Sequence, residues 1–453
     1  MTLAFRAVIG CQIRKANVFA IGARDICKRV TFAKKSFRLA YNSLVQNQTS
    51  FIENGGVLSP QGFRGVAMRA GIKTSGDDLC LLWSLAPATC AAVFTQNEVK
   101  AAPVLVSGEH ARNETTRAII CNSGNANCCT GETGARDAIA MCQFAAQFLG
   151  CDSREILVCS TGIIGHKLPM QNIESALQNM DSSTRCSSEQ MARAVMTTDT
   201  VPKFCAASFQ IDGQTVTIGG QAKGVGMIGP NMSALAPQTL HATMLAFLTT
   251  DAKVEKAFLQ KALEEAVAPS FNSVTVDGDT STNDSCILLA NGASGIEIGN
   301  IEYSMFVECL EKVCVELARK IARDGEGATK LMQVEVSGAA TESDAKQIAM
   351  TIANSPLVKT AIFGRDPNWG RLAMAAGRSG VRFNPAKMSI SIGEVEVFRD
   401  GEPTTFDLAK AEAQMAGNDL TIRISLGESD AKWTAWTCDF SYEYVKINAE
   451  YHT

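Results

Sequence analysis

Four short segments concentrate glycine, asparagine and small hydroxyl residues: 122–131 (NSGNANCCTG), 160–165 (STGIIG), 223–231 (KGVGMIGPN) and 277–285 (DGDTSTNDS). Such residues destabilise packed elements, because glycine loses the most backbone entropy and hydroxyls need partners. One such segment is an ordinary turn. Four predict loops lining a site where backbone amides approach a ligand closely. Ser160, Thr161 and Gly162 follow the apolar run 156–158 and read as a strand ending in a tight turn. Free N–H groups and a hydroxyl there could hold an oxyanion, although composition alone favours a plain strand-end turn. Residues 224–229 match G-x-G-x-x-G, but Pro230 and Pro237 fall where a dinucleotide fold needs a continuous helix. Segment 277–285 alternates like a calcium loop, yet Thr282 and Leu288 stand where that loop needs Gly and Glu. No metal site is expected. Thr243 precedes the apolar stretch 244–248, and by pattern alone it is a helix N-cap or an early helix residue.

The elements that must position these residues come from a chain of 453 residues, 46% apolar and 19% charged, enough for two or three packed lobes. A net charge of −4 argues against a general nucleic-acid binder, and no apolar run has the length of a membrane helix. The 16 cysteines are dispersed without a C-x-x-C pair and read as reduced core thiols. Only four histidines are present (His110, His166, His241 and His452), so a histidine base or a histidine-rich metal site is poorly supplied. The first 40 residues carry nine Lys or Arg against one acid, Asp25. That composition predicts an organellar leader, mitochondrial rather than plastid because Ser and Thr are few.

Ordered structure is expected from about Gly55. Residues 137–149, 251–267, 304–323 and 343–354 have helical periodicity. Residues 208–219 hold a hairpin signal around Asp212-Gly213, and 381–398 and 420–426 alternate like strands. Mixed order without a fixed repeat predicts an α/β (α+β) fold with helices packed on mixed sheets.

Taken together these segments resemble the ornithine acetyltransferase (bifunctional glutamate N-acetyltransferase) family of arginine biosynthesis, in its mitochondrial form. The similarity runs from about Gly55 to Thr453 through GGV (55–57), NSGNAN (122–127), STGIIG (160–165), MTTDT (196–200), KGVGMIGPNM (223–232), ATMLAFLTTDA (242–252), FNSVTVDGDTSTND (271–284), DGEGATK (324–330), GRDPNWGR (364–371) and YVKINAEYHT (444–453). The resemblance implies a two-lobed, autoprocessed enzyme of the N-terminal-nucleophile type. Residues 1–45 would be the transit peptide to the mitochondrial matrix, 46–242 an alpha fragment and 243–453 a beta fragment. The cut falls between Ala242 and Thr243 and makes Thr243 an N-terminal nucleophile. Its own α-amine, with an ordinary pKa of about 7.7–8.0, can take the hydroxyl proton without a histidine. The implied cycle moves acetyl from N-acetylornithine to glutamate through acetyl-Thr243. Thr161 and Gly162 match the oxyanion-hole pair. Thr197 (taken over its neighbour Thr198), Lys223, Thr243, Glu326, Asn448 and Thr453 match the substrate contacts. Lys223 suits a substrate carboxylate and Glu326 a substrate ammonium, and the C-terminal Thr453 should fold into the site. No cofactor is implied, and use of acetyl-CoA as a second acetyl source is left open. The fragments are expected as a heterotetramer of two alpha and two beta.

One departure stands out. Nine residues, 233–241 (SALAPQTLH), separate Met232 from Ala242, where the family runs straight on. Autocleavage needs a strained peptide. A longer proline-bearing loop could relax that strain, bulge harmlessly from the alpha fragment, or be a translated intron. The alternatives are an N-terminal-nucleophile aminopeptidase or amidase, and an uncleaved inactive relative. Mass spectrometry of the recombinant protein separates the last from the rest. Two fragments are expected, the second opening at Thr243, whereas a single intact chain would leave the inactive form standing.

Overall fold

Two six-residue strands with every residue buried lie at the centre of the molecule. A computed structural model describes residues 49–180, 186–234 and 244–450. The leader expected over 1–45, Ala242, Thr243, His241, His452 and Thr453 lie outside the described residues. The strands are β1 (Ser50–Phe51), β2 (Phe63–Met68), β3 (Leu79–Thr95), β4 (Thr116–Asn125), β5 (Ile156–Ile163), β6 (Lys203–Ile211), β7 (Gln214–Lys223), β8 (Met232–Ser233) and β9 (Leu245–Thr250). They continue as β10 (Lys253–Val254), β11 (Ser285–Ala290), β12 (Glu297–Ile298), β13 (Leu331–Ala339), β14 (Ser389–Ile392), β15 (Val395–Arg399), β16 (Glu402–Pro403), β17 (Asp419–Ser425) and β18 (Ala431–Cys438).

The larger sheet runs β1-β6-β7-β9-β11-β3-β4-β5, with β2 and β8 also paired to β3. Its central pair, β9 and β11, is parallel, with Leu245 beside Ser285 and Thr250 beside Ala290. All twelve of their residues are buried. Strands covered on both faces read as continuous apolar runs, which is why 244–248 carries no alternation. The helix expected from Thr243 onward is therefore overturned: after Met244 the chain enters β9, and sheet pairing on both sides overrides the helical propensity of Leu245, Ala246 and Leu248.

The long strand β3 serves two halves of this sheet. Its first part pairs with β2 and β4, its last part with β11 and β8, and the register breaks between Trp83 and Ala88. Helices Gly131–Leu149 and Met170–Gln178 cover the β4–β5 end. Helices Lys256–Val267 and Tyr303–Arg323 cover the β6–β11 part. The second sheet, β16-β15-β14-β17-β13-β18, has its own core with helices Glu342–Ala353, Pro356–Phe363 and Trp369–Gly377. Helix Tyr303–Arg323 packs against both sheets. It buries Phe306, Leu310, Val313, Leu317 and Ile321 at spacings of three and four, the stripe of an amphipathic helix.

The α/β expectation holds, as does the hairpin at 208–219, where Ile211 pairs with Gln214 across Asp212-Gly213. Several boundaries differ. Pairing begins earlier than Gly55, with Ser50 beside Ser208. Residues Lys253–Val254 form a short strand, so the helix expected from 251 starts at Lys256. Residues 381–388 are irregular and end in a 3-10 turn at Pro385–Lys387, because proline cannot donate to a ladder. Strand β5 runs on through Ser160–Ile163 instead of ending before it. The 14 described cysteines are unpaired and mostly buried, as expected of core thiols.

Helix Tyr303–Arg323 packs closely on β7, where a Cβ on Gly220 would come within 2.9 Å of Leu317 and 3.1 Å of Val313. Leu317→Ala, at a fully buried position, is expected to lower stability by about 2–5 kcal/mol. Urea unfolding would measure it, and a loss under about 1 kcal/mol would contradict this packing.

Candidate active site

All four glycine- and hydroxyl-rich loops meet around one cavity of about 170 Å³. They supply Ala126 from the first, Thr161, Gly162 and Ile164 from the second, Lys223, Val225, Gly226 and Met227 from the third, and Asp277, Asp279, Ser281, Thr282 and Asn283 from the fourth. Thr197, Thr198, Glu326, Tyr444 and Asn448 complete the wall. The cavity lies where the two halves of the sheet come together. Asn283, just before β11, donates from Nδ2 to the carbonyls of Ala126 (2.6 Å) and Ser160 (2.8 Å), tying one half to the other.

The first loop mostly supports the second. Ser160 donates to the side-chain oxygen of Asn122 (2.6 Å), Asn122 donates to the Asn125 carbonyl (2.8 Å), and Ser123 donates to the Ala194 carbonyl (2.6 Å). Gly162, paired with Gly124 across β4, has a φ of 131°, and a Cβ there would lie 2.3 Å from the Gly124 carbonyl carbon. Only glycine fits.

Lys223 ends β7 and is buried. Its Nζ donates to the hydroxyls of Thr197 (2.9 Å) and Thr161 (3.1 Å) and lies 3.9 Å from Asp199 Oδ2. Burial pushes its pKa down while Asp199 opposes the fall. Burial alone would push the Asp199 carboxyl up, but Lys223 and Lys203 hold it well below the usual carboxylate range. Glu326 accepts from Thr198 Oγ1 (2.9 Å) and from Asn448 Nδ2 (3.0 Å). Its backbone N–H donates to the Val225 carbonyl (2.8 Å). A Cβ on Gly226 would stand 2.4 Å from Glu326 Oε2, so the bare backbone lets the carboxylate lie against the third loop. The two threonines weighed in the sequence thus divide the work: Thr197 meets Lys223 and Thr198 meets Glu326.

Of the sequence-predicted site residues, Thr161, Gly162, Thr197, Lys223, Glu326 and Asn448 line this one cavity, while Thr243 and Thr453 fall outside the described residues. The chain enters 235–243 from β8 and leaves it into β9, two strands that β3 and β11 separate. Ser233 pairs with Phe94, Phe94 with Ser285, and Ser285 with Leu245. The Met244 N–H donates to Asp284, a fully buried carboxyl raised well above its usual range by that burial. Sequence reasoning missed Asp199, Lys203, Asp277, Asp284 and Asp324. Asp199 and Asp324 sit inside matched segments, MTTDT and DGEGATK, but nothing in the pattern marked them as partners of a buried lysine.

The second lobe supplies its part through the last described helix, Tyr442–Glu450, which brings Tyr444 and Asn448 to the cavity. Ser441 anchors its start by donating to the Gly327 carbonyl (2.5 Å). One lysine, three carboxylates, several hydroxyls and two amides around a small space suit a zwitterionic amino acid. The volume is below the roughly 300–1,000 Å³ of sites for larger ligands.

Fold and cavity together define an α/β protein with a small, two-signed site at the ends of a mixed sheet. The chain belongs to the ArgJ family, whose model matches residues 64–453. The arginine biosynthesis bifunctional protein ArgJ of Symbiobacterium thermophilum is 46% identical over 408 residues, which span 88% of this chain and 99% of that protein. Its namesake in Thermosynechococcus vestitus is 46% identical over 420 residues, spanning 88% and 98%. A crystal structure of the Bacillus halodurans arginine biosynthesis bifunctional protein argJ is 42% identical, covers 46% of this chain and all (100%) of that chain, and superposes with a TM-score of 0.45.

Asp277 offers a test of the cavity's electrostatics. It accepts the N–H groups of Met227 (2.6 Å) and Ile228 (2.8 Å), yet burial raises its carboxyl to about 6. A carboxyl raised in the folded state binds more protons there than in the unfolded chain, where its pKa is about 3.9. Its contribution to stability is full below about pH 4 and is lost as pH rises through about 6. The stability difference between the wild type and Asp277→Asn should therefore shift against the wild type between those values and level off above them. Thermal melts across that range measure it, and a pH-independent difference would contradict the assignment.

Proposed function

We propose that this chain is an acetyltransferase of arginine biosynthesis that cuts itself before Thr243 and carries acetyl on that residue. The observation that carries the proposal is the single cavity holding Lys223, Glu326 and the Thr161–Gly162 pair, in a chain of the ArgJ family. The Thr243 hydroxyl attacks the acetyl carbonyl of N-acetylornithine, and its α-amine takes the proton. Thr161 and Gly162 steady the oxyanion. The amide C–N bond breaks, the proton passes to the departing amine, and ornithine leaves. The glutamate amine then attacks the acetyl ester and regenerates the hydroxyl. Lys223 meets the substrate carboxylate, Glu326 meets the ammonium, and Thr197, Asn448 and Thr453 orient the ligand.

Fragments 46–242 and 243–453 remain together as a heterotetramer of two of each. The leader 1–45 directs the protein to the mitochondrial matrix, and acetyl-CoA serves as an additional acetyl source without any bound cofactor. Strand order supports a lasting association: β9 and β11, from beyond the cut, lie between β7 and β3, from before it.

Purified protein given N-acetylornithine and glutamate should release ornithine and form N-acetylglutamate. Thr243→Ala should lower that rate by roughly three orders of magnitude or more. Activity that persists in the variant overturns the nucleophile. Acetate released without regard to added glutamate overturns the transfer.

A further inference from the structure

Lys203, at the start of β6, is fully buried and does not line the cavity. Its Nζ donates to Asp199 Oδ1 (2.7 Å) and to Asp324 Oδ2 (2.5 Å). Asp199 also accepts the N–H groups of Gly224 (2.8 Å) and Thr197 (3.1 Å), and it faces the Lys223 ammonium. One carboxylate therefore fixes both chain segments around Lys223. Asp324 follows directly on helix Tyr303–Arg323 and precedes Glu326 by two residues. It accepts from the backbone N–H of Thr200 (3.1 Å) and from the Thr200 hydroxyl. A continuous run of buried charges, Lys223, Asp199, Lys203 and Asp324, thus leads from the cation of the cavity to the segment bearing its carboxylate.

A buried lysine between two carboxylates has little freedom of position, because a displacement leaves one of them uncompensated in a medium that solvates it poorly. Folding alone does not require such a chain, since apolar side chains of similar volume fill buried positions at least as well. What the ionic chain adds is a fixed separation. We propose that Lys203 is a positioning residue that sets the span between Lys223 and Glu326, so that the cavity selects its amino acid by the distance between carboxylate and ammonium. The span has this meaning only within the acetyl-transfer reading above, in which those two residues meet the two charges of the substrate.

The experiment compares kcat/KM for N-acetylornithine with its Nα-acetylated homologues one methylene shorter and one longer, using the full-length protein. The wild type should prefer one length by roughly tenfold or more. Asp199→Asn and Asp324→Asn keep shape but weaken the chain, and each should narrow that preference about fivefold or more, mostly through KM. Variants that fold normally by circular dichroism and lose rate equally on all three substrates overturn the proposal. So does a wild type indifferent to length. If neither aspartate variant folds, Thr200→Val, which removes one hydroxyl from Asp324 at an exposed residue, carries the test. About a twofold narrowing supports the span, and an unchanged preference overturns it. A wild type that transfers no acetyl to glutamate from any of the three overturns the acetyl-transfer reading itself, and the span with it.

Discussion

Asp199 lies between two buried lysines, and much of the site follows from that placement. Ions taken out of water lose several kcal/mol of solvation each, and they persist inside a protein only where partners and hydrogen bonds compensate. Here Lys203, Lys223, Gly224 and Thr197 all converge on one carboxylate. The result is a site whose cation is held by charge and geometry together, not by a flexible surface side chain. The loop carrying Thr197 and the end of β7 carrying Lys223 cannot shift independently, because both are bound to the same carboxylate.

The large sheet supplies the frame. It brings the ends of β5 and β7 and the starts of β9 and β11 to one place, and Asn283 bridges the halves with a single amide. The second lobe reaches the same place through Glu326 and the final described helix. Helix Tyr303–Arg323, packed on both sheets, couples the lobes and ends at Asp324, where the buried charge chain also ends.

Much of this was legible in the sequence, for identifiable reasons. Four loops rich in glycine, asparagine and hydroxyls could be recognised because such residues have little use in packed elements, and all four do line the cavity. The helix Tyr303–Arg323 and the hairpin at Asp212-Gly213 follow from periodicity and turn chemistry. The strand after Met244 was not legible. A short, wholly apolar run contains no signal that separates a doubly buried strand from a helix, and only its neighbours β7 and β11 decide it. Nor was Lys203 legible, since a lysine at a strand start reads as solvated until Asp199 and Asp324 are seen to enclose it. Those three residues lie far apart along the chain in part, 121 positions between Lys203 and Asp324, and no local pattern links them.

The interleaving of β9 and β11 between β7 and β3 has a consequence for the order of events in the life of the molecule. A break before β9 made in an unfolded chain would yield two pieces, each with unpaired strand edges and half of a shared core, open to association with the wrong partner. The same break made after the sheet has closed alters no strand pairing. On the acetyl-transfer reading proposed above, this topology favours a cut made only after folding, when the strands on both sides of the junction are already paired.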